Sequence, residues 1–117
     1  MSPSDANRDT PLVVLVTAPS EEVGTELGRR LVEERLAACV NLVPGLRSLF
    51  HWEGKVAREA EVLLILKSRR GLWDRLRATV REIHPYDVPE ILALPVVHGD
   101  PDYLAWLAEE TRGGRGP

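Results

Sequence analysis

The spacing of hydrophobic and polar positions changes several times along the chain, and each change marks an element. Leu12-Val13-Val14-Leu15-Val16 is a β-branched run bounded by Pro11 and by Thr17-Ala18-Pro19. Apolar on both faces, it predicts a central strand. The period then becomes helical: Val23, Leu27 and Leu31 recur every fourth residue, and Val32 and Leu36 widen the stripe, predicting an amphipathic helix to about Leu36. Ser20 is placed to cap its N-terminus, with Glu21 and Glu22 complementing the dipole of the first turn. Gly24 and Gly28, one turn apart, predict close backbone approach to the sheet.

Cys39 to Phe50 predicts a second strand, with a bulge or bend at Pro44-Gly45. Trp52-Glu53-Gly54-Lys55 is a tight turn, and a third strand follows from Lys55 to Lys67. The first half of that strand alternates, with Val56, Ala60 and Val62 on one face and Ala57, Glu59 and Glu61 on the other. Its second half, Val62–Leu66, is apolar on both faces. A strand of about thirteen residues spans ~43 Å, well beyond the usual length. A single domain of 117 residues cannot cover both faces of such a ribbon. Long open hairpins are aggregation hazards that proteins pair or cover. The expectation is an oligomer built through this hairpin.

Leu72, Leu76, Val80 and Ile83, with Trp73 beside them, predict a second amphipathic helix, for which Ser68 is a candidate cap. Its other face carries Arg69, Arg70, Arg75, Arg77 and Arg81 against Asp74 and Glu82, the composition of a solvated face. Pro85 stops the helix at Ile83 or His84, and Pro89 restricts Val88, so the joint His84-Pro85-Tyr86-Asp87-Val88-Pro89-Glu90 is stiff. A fourth strand runs from Glu90 to about Val97. Asp100 then caps a last helix that has Pro101 in its first turn and continues through Leu107. Residues 1–10 read as a flexible leader, 11–111 as one domain and 112–117 as a flexible tail. The order β-α-β-β-α-β with an added helix is α+β: a ferredoxin-like split βαβ fold, an antiparallel sheet with two helices on one face.

Composition narrows the function. A net charge of −3 gives no global attraction to nucleic acid or to an anionic membrane. No apolar run approaches the ~20 residues that span a bilayer, and the N-terminal stretch has no signal-peptide core. Cys39 is the single cysteine and forms no internal disulfide, which fits a reducing cytoplasm. Phosphate-cradling glycine loops, GxSxG, CxxC, HExxH and EF-hand patterns are all missing. His51, His84 and His98 are dispersed, and Cys39, flanked by apolar residues, lacks a recognisable activating partner. The joint at 84–90 holds the densest chemistry: an imidazole, a phenol and two carboxylates on a constrained loop. As a structural feature alone, His84 suits the end of a helix.

Taken in order, several motifs resemble the CutA family, the divalent-cation tolerance proteins. They are V-V-L-V-T-A-P at 13–19, E-R-L-A-A-C-V-N-L-V-P at 34–44, W-E-G-K at 52–55, 61–67, H-P-Y-D-V-P-E at 84–90 and Y-L-A-W-L at 103–107. The resemblance covers 12–111. It implies a ferredoxin-like homotrimer whose long hairpins pair between subunits, a link to copper or other divalent cations, no organic cofactor and no catalytic activity. The family's proposed metal ligands are a first-strand cysteine and two histidines ending the second helix. Carried over, one falls on His84, while the others fall on Val16 and Ile83, which cannot bind metal. The metal candidates of this chain are therefore His84, Cys39 and Asp87.

The leading expectation is a cytoplasmic, non-enzymatic trimer linked to metal tolerance. The alternative is a small-ligand signalling trimer similar to the nitrogen-regulatory PII proteins, with Lys67, Tyr86 and Glu90 lining a cleft between subunits. An acylphosphatase-like enzyme needs an arginine in a phosphate loop after the first strand, and Thr17-Ala18-Pro19-Ser20 has none. An RNA-binding sheet needs aromatics on its middle strands, and Val62–Leu66 has none.

Overall fold

A computed structural model of the chain describes residues 8–113. In chain order the elements are β1 (Pro11–Ala18), α1 (Glu21–Glu33), β2 (Cys39–Trp52), β3 (Lys55–Arg69), α2 (Trp73–Ile83), β4 (Ile91–Pro95) and α3 (Pro101–Glu110), with a 3-10 turn over Arg70–Leu72. The four strands form one antiparallel sheet in the order β2-β3-β1-β4. This is the expected ferredoxin-like arrangement. β1 is central, paired with β3 from Pro11↔Arg69 to Ala18↔Val62 and with β4 from Leu12↔Pro95 to Val16↔Ile91.

Alternation along the strands sorts the sheet into two faces. Val14, Val16, Leu64 and Leu66 point to the helices and are fully buried with Leu27, Leu31, Leu72, Leu76 and Val80. α1 reaches the sheet through its glycines: a Cβ on Gly28 would stand 3.1 Å from Val40 Cγ1, and one on Gly24 would stand 3.2 Å from Leu64 Cδ1. The opposite face carries Val13, Leu15, Leu63, Ile65, Leu92 and Leu94, and the last two of these are exposed.

Several boundaries differ from the sequence reading, each for a local reason. α1 ends at Glu33, short of Leu36, because Arg35 takes φ +60°. Arg35 N donates to Val32 O and Leu36 N to Leu31 O, the paired bonds of a Schellman turn, here with arginine where glycine is usual. Leu36 is still fully buried. Ser68 caps no helix: it lies inside β3, fully buried, and its hydroxyl donates to Leu36 O at 2.7 Å. β4 is two residues shorter at its end than expected, although Val96 N still donates to Pro11 O.

The hairpin matches the expectation closely. The β2–β3 register shifts between Val43 and Leu46, with Gly45 at φ +83°, and the turn is made by Glu53 at φ +51° and Gly54 at φ +77°. Two consecutive left-handed residues are the two-residue turn whose twist suits a hairpin. Beyond the bulge the ribbon projects from the body, and the molecule measures 49 × 30 × 26 Å. Leu49, Trp52 and Val56 on this arm are 67%, 61% and 63% exposed. Most of the expected leader and tail lies outside the described residues. Residues 8–10 are hydrogen-bonded to the start of the second helical segment, with Arg70 N donating to Thr10 O and Gly71 N to Arg8 O.

Candidate functional site

α2 ends where Pro85 demands it: His84 is extended at φ −65°, ψ 133°, and its N–H still closes the helix on Val80 O. That turn drives the imidazole inward, where it is 6% exposed. Its Nε2 lies 2.7 Å from Thr17 O, and the Tyr86 N–H donates to Nδ1 at 3.1 Å. A backbone N–H can only donate and a carbonyl can only accept, so Nδ1 is the acceptor and Nε2 carries the proton. Both ring nitrogens are thereby committed. The Tyr86 ring packs against the imidazole, with centroids 4.9 Å apart.

The joint, the end of β1 and the arm out to Trp52 border an open cleft of about 530 Å³. Glu59, Glu61, Phe50 and Trp52 line it from one face of the arm, and Tyr86, Asp87 and Glu90 line it from the joint. Tyr86 Oη donates to Glu61 Oε2 across a long 3.4 Å. The phenol is held above its ordinary range, first by burial and then by the negative charge of Glu61 and Glu59. Strand geometry explains the carboxylates: Glu59 and Glu61 are two apart on β3 and so share a face.

The sequence candidates fall in different places. Asp87 and Glu90 line the cleft with Tyr86. Asp87 is exposed, and its carbonyl accepts from Arg81 Nη2 at 3.1 Å. Cys39 is half-buried at the start of β2, opposite Lys67, with Sγ 4.0 Å from Asn41 Oδ1. Through Lys67 and Val13 it lies two strands across and four residues along from Thr17, on the order of 16 Å by strand spacing. No group of three or more His, Cys, Asp or Glu side chains gathers to hold a metal ion among the described residues. Val16 is fully buried in the core and Ile83 packs against it. Lys67, expected beside Tyr86 and Glu90, instead donates to Asn41 Oδ1, six residues up β3 from Glu61 and about 20 Å away. Sequence reading missed Phe50, Trp52, Glu59 and Glu61 as lining; the shared parity of the two glutamates was the available signal.

The second face of the sheet meets α3 at one corner. Asp100 caps that helix by accepting from Tyr103 N at 3.1 Å. Its C-terminal carbonyls are held by two arginines: Arg35 Nη1 donates to Glu110 O at 3.0 Å and Arg69 Nη2 to Thr111 O at 3.2 Å. Burial lowers the Arg69 guanidinium from its ordinary value.

A split βαβ sheet with an overlong β-arm and a carboxylate-lined cleft along it defines the class: a ferredoxin-like protein. Residues 12–110 match the family described as CutA1 divalent ion tolerance protein, and this chain belongs to that family. It is 52% identical over 99 residues to the divalent-cation tolerance protein CutA of Thermus thermophilus, covering 85% of this chain and 96% of that one. It is 50% identical to the chloroplastic CutA protein of Arabidopsis thaliana over 86% of this chain and 56% of the plant protein. Among solved structures, CutA1 of Oryza sativa superimposes with a TM-score of 0.86 at 49% identity, covering 89% of this chain and 97% of that one. The divalent cation tolerance protein of Thermus thermophilus superimposes with a TM-score of 0.84 at 50% identity, covering 86% and 97%.

Proposed function

We propose that this chain works in divalent-cation tolerance as a non-enzymatic homotrimer assembled through its β-arm, and that it does so in the cytoplasm. The observation that supports the assembly is the arm itself: an extended ribbon whose apolar side chains Leu49, Trp52 and Val56 stand in water in a single subunit. Such a ribbon is stable in solution when another chain covers it. No helix among the described residues is long and apolar enough to cross a membrane. Relatives carry the words chloroplastic and periplasmic in their names, so location varies across the family. Light scattering at micromolar concentration tests the assembly: the expected mass is three times 13.0 kDa, and a stable monomer overturns it.

Copper or another divalent cation binds one subunit weakly on this reading. His84, Cys39 and Asp87 are the donor side chains the sequence offers, but His84 holds both nitrogens in the protein and Cys39 stands far from it. Calorimetric titration with Cu²⁺ is expected to show no binding tighter than about millimolar. A micromolar isotherm lost in both His84→Ala and Cys39→Ser would overturn this.

A second reading, a small-ligand signalling trimer, is supported by the cleft, whose volume lies in the range of small-molecule sites. Its test is a metabolite retained on purification and released on denaturation.

A further inference from the structure

The helices treat their arginines unequally. On α1 and just after it, Arg29 bridges Glu26 and Glu33, Arg30 bridges Glu34 and Glu82, and Arg35 reaches Glu110. Arg70, Arg77 and Arg81 are all exposed and form no salt bridge among the described residues. The chain has 18 acidic residues against 15 basic ones, so these three are not left over for want of carboxylates. Arg77 and Arg81 lie one turn apart on α2, and Trp73 lies one turn before Arg77. Arg70, in the 3-10 turn that leads into α2, borders with Trp73 an open groove of about 360 Å³ whose apolar lining is completed by Leu12, Ala93 and Pro95. Asp74 is the one carboxylate at that groove; it sits in the first turn of α2, where the helix dipole favours it, and bridges none of the three arginines. None of these residues belongs to the β-arm or lines the cleft beside it.

Charge and spacing together select the partner. Guanidinium forks suit carboxylates and phosphates. A nucleic-acid duplex would lay its phosphates across α2 onto Glu82 and the acidic face of α1, where Glu26 and Glu33 are exposed. A single strand wants several stacking platforms, and Trp73 is the one aromatic ring at the groove. An extended peptide meets neither obstacle. Its alternate side chains are ~6.6 Å apart on one face, close to the ~6 Å that separates residues one helical turn apart. We propose that this stripe docks an extended acidic segment of a partner protein. An apolar side chain enters the groove against Trp73, and carboxylates two and four residues away along the segment meet Arg77 and Arg81. Arg70 adds a cation at the groove end.

The probe is a labelled, end-capped peptide, Glu-Ser-Glu-Ser-Leu-Ser-Glu-Ser-Glu, which presents the pattern in both chain directions. The full chain is titrated into it at low ionic strength and followed by fluorescence anisotropy. Saturation below about 1 mM is expected, weakened about tenfold or more in Arg77→Gln/Arg81→Gln and several-fold when serine replaces the leucine of the peptide. Arg29→Gln, which removes an arginine already paired within α1, is expected to leave affinity within about twofold. An oligothymidylate of equal charge is expected to bind more weakly than the peptide. Should the double variant fail to fold, Arg77→Gln alone carries the test and is expected to weaken binding several-fold. No saturation by about 10 mM, equal losses in Arg29→Gln and the α2 variants, or tighter binding of the oligothymidylate overturns the proposal. So does a change of oligomeric mass in Arg77→Gln/Arg81→Gln, which would give the stripe to another copy of this chain. A trimer indifferent to the peptide sinks the docking stripe and leaves the assembly standing; a monomer sinks the assembly alone.

Discussion

His84 Nε2 donates to the Thr17 carbonyl at 2.7 Å, joining the end of α2 to the end of β1. With the Tyr86 N–H on its other nitrogen, this imidazole is a structural bolt: buried, with both ring nitrogens partnered. Replacing it with alanine strands one buried carbonyl and one backbone N–H. His84→Ala is expected to lose about 2–3 kcal/mol in urea denaturation. A loss below about 0.5 kcal/mol would show that water replaces the ring without penalty.

Gly28→Ala sets two effects against each other. Alanine favours a helix over glycine by about 1 kcal/mol. Its methyl group, however, would stand 3.1 Å from Val40 Cγ1, and valine is stiff at χ1 and held in the sheet. Overpacking of that kind costs about 1–3 kcal/mol, so a net loss near 1 kcal/mol is expected in thermal or urea unfolding. A more stable Gly28→Ala variant would mean that α1 lifts off the sheet freely.

The Tyr86 phenol titrates above its ordinary range because burial, then Glu61 and Glu59, disfavour the phenolate. The folded chain thus holds that proton more tightly than the unfolded one. Its contribution to stability is complete below the unfolded value, about pH 10, and is lost as pH rises toward the folded value. Tyr103 is also raised, chiefly by burial, so Tyr103→Phe isolates the signal. Ultraviolet titration of that variant is expected to place the phenol above the free value, and Glu61→Gln to bring it down. An unshifted titration with Glu61 present would contradict the contact.

Charge on the arm is expected to weaken assembly. Leu49→Lys with Val56→Lys puts two ammonium groups on exposed apolar positions distant from the core. Sedimentation should then show smaller species at micromolar concentration, while circular dichroism keeps the secondary structure of the parent. An unaltered mass would remove those side chains from the interface.

Much of the fold was legible because its periods are clean. The unalternating run at 12–16, the fourfold stripe from Val23 and the Pro-bounded joint each follow from one local rule. Where the reading slipped, a tertiary partner decided. Leu36 was correctly apolar and buried, but Arg35 turns left-handed under it and so removes it from the helix. Ser68 has the composition of a cap, yet its hydroxyl goes to Leu36 O across the fold, a partner no spacing reveals. The site was half legible. The density of polar groups at 84–90 pointed to the right loop, and Tyr86, Asp87 and Glu90 do line a cleft. The opposite wall comes from the arm, some thirty residues earlier, and only the β2–β3 register brings it there.

The position of β1 between β3 and β4 has a kinetic consequence. β2 and β3 are neighbours in sequence and can zip from the Glu53-Gly54 turn within microseconds. β1 must instead wait for partners that begin far downstream, since Val16 pairs with Leu64 on one side and with Ile91 on the other. Loop closure over such separations slows folding. The earliest strand to leave the ribosome is therefore the last to have both edges filled, and the nascent chain carries a ready hairpin beside an orphaned apolar segment. Crowded synthesis is where this protein is most exposed to mispairing, well before any ligand or metal is met.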